Sequence, residues 1–86
     1  PTPVIALNRA VAVGMALGPE AGLRLLDQLE REGELRHYHP FCIARADMLR
    51  RLGRVAEARS SYAAALDLCA NAVERAAILE RIAQLS

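Results

Sequence analysis

The 86 residues include 53% apolar types and 24% charged ones, with 11 basic against 10 acidic groups and a net charge of +1. This length supports one small domain, the apolar content excludes a disordered tail, and the charge balance provides no bulk attraction to a polyanion. Every cation is arginine, alanine and leucine dominate, and no alternating β-branched run occurs, so the composition predicts an all-α chain. Thr2-Pro3 is a helix start signal, and a first helix is expected from about Pro3 to Leu17. Gly18-Pro19 ends it and opens a second, to about Glu32, with Leu23, Leu25, Leu26 and Leu29 as its apolar positions. Gly33 to His39 reads as a loop, Pro40 opens a third helix and Gly53 closes it. A fourth covers about Arg54 to Cys69, with Ala58, Tyr62, Ala65 and Leu66 on one face. Asn71 and Glu74 resemble a capping box for a fifth helix carrying Val73, Ile78, Ile82 and Leu85.

The chain starts at Pro1 without an initiator methionine, which reads as a piece of something longer. No run of 18 apolar residues argues for a membrane span, and Val4 to Leu17, interrupted by Arg9, does not read as a signal peptide. Cys42 and Cys69 are too few for a disulfide framework and fit buried thiols in a reducing cytoplasm.

A shift of 36 residues aligns Arg9-Ala10 with Arg45-Ala46, Val13 with Leu49, Gly22 with Ala58 and Leu26 with Tyr62. Leu29 falls on Ala65, so the repeat is imperfect. Two helix-turn-helix units followed by one helix is the pattern of a short solenoid. In the second unit, Ala46, Leu49, Gly53, Ala58, Tyr62 and Ala65 resemble the small, large, glycine, small, aromatic, small order of a tetratricopeptide repeat (TPR). Cys42 stands where that motif usually has tryptophan, and Ala70 where it has proline. The first unit, with Ala10, Val13, Gly22, Leu26 and Leu29, is more degenerate. The expected architecture is a short right-handed solenoid in a single domain, residues 1–86. Its parts are repeat one at about 3–32, repeat two at about 40–69 and a capping helix at about 72–85.

The first helix is apolar nearly all round, which predicts burial on more than one side. Val4, Leu7, Val11 and Met15 share the face turned to a repeat groove. Either upstream sequence, another chain or the domain's own core covers that face, and an uncovered face would drive self-association of the isolated chain. Ala6, Ala10, Gly14 and Gly18 form a small-residue ridge that admits a close neighbour. Asn8 and Arg9 must be satisfied by solvent and neighbouring turns, or by an upstream segment whose docking they fix.

The run Ala6-Leu7-Asn8-Arg9-Ala10-Val11-Ala12-Val13 resembles one group of bacterial extracytoplasmic-function sigma factors. So do Gly18-Pro19-Glu20-Ala21-Gly22-Leu23 and the stretch from Arg45 to Arg54. These are the members with a C-terminal TPR-like extension, and the likeness runs over nearly the whole chain. It implies promoter-reading domains upstream and a regulatory or interaction role within a transcription initiation factor. It also implies contact with those domains and with RNA polymerase, and small YCII-related proteins as further partners. The interaction face would be Val4, Leu7, Asn8, Arg9, Val11 and Met15. A generic TPR-like scaffold that binds a peptide is the alternative, and a helical piece of an enzyme with catalytic residues upstream is a third.

His37, His39 and Cys42 form an H-x-H-x-x-C cluster, with Cys69 the sole source of a fourth zinc ligand. A core thiol beside a solvated loop accounts for the same residues, so no metal and no cofactor is assigned, nor a Cys-His dyad. Arg45, Arg50, Arg51, Arg54 and Arg59 face only Asp47 and Glu57 locally. They form a basic patch suited to an acidic protein surface, or a solvated face with pairs such as Asp47 with Arg51. Without interleaved aromatics, direct nucleic-acid contact is not expected. Glu30, Glu32 and Glu34 lie at a fraying helix end with no apolar pocket to raise a pKa, and Ser60-Ser61 has no histidine nearby. The chain reads as non-catalytic.

Overall fold

Capping and turn chemistry set the elements. The computed structural model describes residues 2–85 and contains α1 (Pro3–Leu17), α2 (Pro19–Glu32), α3 (His39–Arg51), α4 (Val55–Leu68) and α5 (Ala72–Ala83). Among the described residues there is no strand, so the chain is all-α. Thr2 Oγ1 accepts the Ile5 N–H at 3.2 Å, and Pro3 takes the first helical position, where its missing N–H costs nothing. Gly33 ends α2 at φ 81°, a left-handed conformation that disfavours a side chain, and its N–H bonds the Leu29 carbonyl at 3.2 Å.

Several expected boundaries and positions shift. α3 starts at His39, with Tyr38 as the cap and Pro40 at the second position, where proline still forfeits no intrahelical bond. Arg54 and Cys69 flank α4 rather than belonging to it. Asn71 Oδ1 accepts the Val73 and Glu74 N–H groups at 2.9 and 3.0 Å, but only half of the capping box forms. The Glu74 carboxylate turns away to His39 and Cys69. Val73, expected on the apolar face of α5, is 79% exposed, and Ile78 is the residue that this helix buries. Within the loop, Leu35 is buried and the Tyr38 N–H bonds its carbonyl at 3.0 Å, so this connection is a plugged turn.

Packing follows chain order. α1 lies mainly on α2 and α3 mainly on α4, while α2 against α3 joins the two hairpins and α5 rests on α4. The 36-residue shift carries α2 onto α4 end to end. It also matches fully buried Ala10 with Ala46 and Leu26 with Tyr62. The core runs through Leu7, Leu23, Leu26, Phe41, Met48, Leu49, Tyr62 and Ile78. The radius of gyration is 12.1 Å, against about 12 Å for a compact chain of this length.

The small-residue ridge of α1 serves this chain itself. Ala10 and Gly14 are buried where α2 crosses, and a Cβ on Gly22 would lie 2.7 Å from Gly14 Cα and 3.1 Å from the Ala10 carbonyl oxygen. The two backbones meet there because neither helix places a side chain between them. No helix of the described residues is long and apolar enough to cross a membrane.

Candidate functional site

A groove of about 640 Å³ lies between α1, α3 and the end of α5. Val11 and Met15 come from α1, Pro40, Ile43, Ala44 and Met48 from α3, and together they make an apolar lining. Arg50, Arg51 and Arg81 rim it beside one carboxylate, Asp47. Asp47 is heavily used: it accepts the Tyr62 hydroxyl, and Arg81 Nη1 lies at 3.5 Å and Arg50 Nη2 at 3.9 Å. Arg50 Nε in turn donates to the Tyr62 hydroxyl at 3.2 Å. Arg51 Nη1 lies 3.7 Å from Met15 Sδ and 3.9 Å from Met48 Sδ, and no carboxylate of the described residues pairs with it. The expected Asp47–Arg51 pair is therefore replaced by Asp47 with Arg50 and Arg81.

The expected interaction face divides. Leu7 is only 4% exposed and belongs to the core. Val11 and Met15 line the groove, Met15 being 71% exposed, while Val4 is exposed outside it. Asn8 is exposed, and Arg9 borders a separate hollow with Ala6, Leu25 and Leu29. Helical geometry forces this: two residues along a helix is about 200° of rotation, so Arg9 cannot share a face with Leu7 and Val11.

The expected basic patch divides as well. Arg45 binds Asp27 at 3.1 Å and Glu30 at 3.2 Å, both on α2, and its side chain is 21% exposed. Arg54 is held by Glu57 through two bonds of 2.9 and 2.7 Å, which keeps the Glu57 carboxyl below its usual range. Arg59 is exposed away from the groove, and of the five only Arg50 and Arg51 remain on it. A count of charges over nearby sequence misses Asp27 and Glu30 because they arrive from a different helix.

The H-x-H-x-x-C grouping does not assemble. Cys42 is a buried core thiol whose pKa is pushed up by burial and by Glu30, which leaves it protonated and inert. His37 is exposed in the turn. His39 instead meets two residues from the far end of the chain, Cys69 and Glu74. Arg81, Met48 and Ile43 were also absent from the expected groove residues. The spacing of Ala44, Met48 and Arg51 along one stripe of α3 was the available signal.

No family model matches the chain, and no solved structure matches it. An uncharacterized protein of Rhizobium meliloti (strain 1021) is 41% identical over 87 residues, across 100% of this chain and 20% of that protein. The chain thus spans about a fifth of the length of the curated relative it matches.

Proposed function

We propose that the chain is a non-catalytic protein-interaction domain, a short right-handed solenoid of two TPR-like hairpins and a capping helix. The 36-residue correspondence of elements and buried positions supports that architecture. The observation that carries the function is the groove, an apolar floor rimmed by three guanidinium groups, of which Arg50 and Arg81 share Asp47 and Arg51 has no carboxylate partner among the described residues. Such a surface favours an amphipathic segment that brings its own carboxylates. On the sequence resemblance, the domain belongs to a cytoplasmic bacterial sigma factor, where it positions or regulates the upstream promoter-binding domains on RNA polymerase. The relative, about five times longer, leaves ample chain for such domains.

The test starts from the gene. The reading frame upstream of Pro1 should encode two helical promoter-binding regions ending in a helix-turn-helix, and the purified upstream segment should bind the 86-residue chain in trans. Met15→Glu and Arg51→Glu, both on exposed groove positions, should each weaken binding by roughly tenfold or more in calorimetry. An upstream frame without a promoter reader would overturn the sigma-factor reading. Binding untouched by both substitutions would remove the groove from consideration. Self-association of the isolated chain through the same groove should likewise vanish with Met15→Glu.

A further inference from the structure

We propose that His39, Cys69 and Glu74 form a zinc site that clasps the start of α3, the end of α4 and the start of α5. His39 is the first residue of α3, Cys69 follows the last residue of α4, and Glu74 lies in the first turn of α5. Their ligand atoms all lie within 4.8 Å of one another. Glu74 Oε2 is 3.1 Å from His39 Nε2 and 3.4 Å from Cys69 Sγ. Zinc bonds of about 2.0–2.3 Å in a tetrahedron set neighbouring ligand atoms roughly 3.3–3.6 Å apart. Both separations are near that span, and a small rotation of the partly exposed imidazole and carboxylate closes the third.

The donor set fits the ion. Zinc takes thiolate, imidazole and carboxylate together, whereas magnesium and calcium demand oxygen. One thiolate and one carboxylate balance the divalent charge, and the imidazole binds neutral, so the filled site carries no net charge. Water completes the tetrahedron on the solvent side, where the Glu74 side chain is 52% exposed. The backbone is already held: Asn71 caps α5, and Arg75 Nη1 donates to the carbonyls of Leu66 and Cys69 at 2.7 and 3.0 Å. Glu74 also occupies the position from which a capping-box glutamate reaches back to its own cap, yet its carboxylate faces the imidazole and the thiol.

Zinc should bind the chelator-treated, reduced 86-residue chain one to one in calorimetry. Cobalt(II) should give a thiolate-to-metal charge-transfer band, and magnesium should not compete. Cys69→Ser should abolish that band. His39→Gln and Glu74→Gln should weaken zinc by more than the roughly 10–100-fold that loss of an outer-shell partner costs. His37→Gln and Cys42→Ser should leave binding unchanged. At a hundredfold excess over Kd, zinc should raise the wild-type Tm by roughly 10–20 °C. Glu74→Gln lies at an exposed position, so a native helical circular dichroism spectrum ensures that its loss of binding reports on the site. Failure of the wild type to bind, or binding equal to wild type in Cys69→Ser and Glu74→Gln, would overturn the proposal.

Discussion

Two glycines at the α1–α2 crossing have opposite tolerances. A Cβ on Gly22 would meet backbone, Gly14 Cα at 2.7 Å, and only separation of the helices relieves that contact. A Cβ on Gly14 would meet chiefly the Sδ and Cε of Met48, the far end of an unbranched side chain with three rotatable bonds. Alanine inside a helix also gains about 0.5–1 kcal/mol over glycine, which offsets part of any Met48 movement. Gly22→Ala should therefore lose about 2–3 kcal/mol in urea unfolding, while Gly14→Ala stays within about 1 kcal/mol of wild type. Equal losses would mean that Met48 is as immovable as backbone. The same residue-level reading explains Arg51, whose guanidinium rests against two methionine sulfurs at the groove. A charge held against polarizable, apolar side chains is available to a carboxylate in a way that Arg54, already doubly bonded to Glu57, is not.

At the scale of elements, α5 is the least anchored helix. Ile78 is its one buried residue, Ile82 packs partly against the core, and Leu79 is 51% exposed. Its other ties are polar: Arg81 to Asp47 across the groove, Arg75 to the end of α4, and Glu74 to His39 and Cys69. Truncating Ile78 to alanine removes the main apolar hold, a change costing about 2–5 kcal/mol at a buried site. Native-state hydrogen exchange should then show protection lost over Ala72–Ala83 while α3 retains it, because local opening follows the density of buried contacts. Uniform loss across all helices would instead make α5 part of one cooperative unit with the core. The boundaries of these elements were legible in the sequence because their signals are local: Thr2-Pro3, Gly18-Pro19, Gly53 and Asn71 each act within a few residues of themselves. The sites were less legible because they are assembled across the chain. Arg45 meets Asp27 and Glu30, Arg81 meets Asp47, and His39 meets Cys69 and Glu74, all pairings between separate helices. Helical period placed Met15 and Val11 on one side of α1, but which part of that side the rest of the chain would cover, burying Leu7, required the packed structure.

For the whole molecule, the buried titratable groups predict how stability depends on pH. Cys42 is raised above its ordinary 9.0, first by burial and then by Glu30. Tyr62 is raised above 10.0, first by burial and then by the bond it donates to Asp47, with Arg50 opposing. Both groups keep their protons more firmly when folded, so above pH 9 the unfolded chain releases protons that the native chain holds. Unfolding is then favoured, and the contribution of each group is complete below its unfolded value and lost as pH climbs through its folded value. The urea midpoint of the reduced, chelator-treated chain should thus be flat with respect to these two groups from pH 7 to 8.5. It should fall beyond pH 9, at up to about 1.4 kcal/mol per pH unit for each group. Tyr62→Phe keeps the ring that fills the core and costs about 1 kcal/mol at neutral pH through the lost hydrogen bonds. It should remove the part of the decline that begins above pH 10, and Cys42→Ala the part that begins nearer 9. A double variant with the same alkaline slope as wild type would place the effect elsewhere. Loss of both slopes would assign the alkaline decline to these two groups; Tyr62 also fixes Asp47 and Arg50 at the rim. Groove affinity for an acidic partner should then shift with Tyr62→Phe even at neutral pH, where the phenol carries no charge.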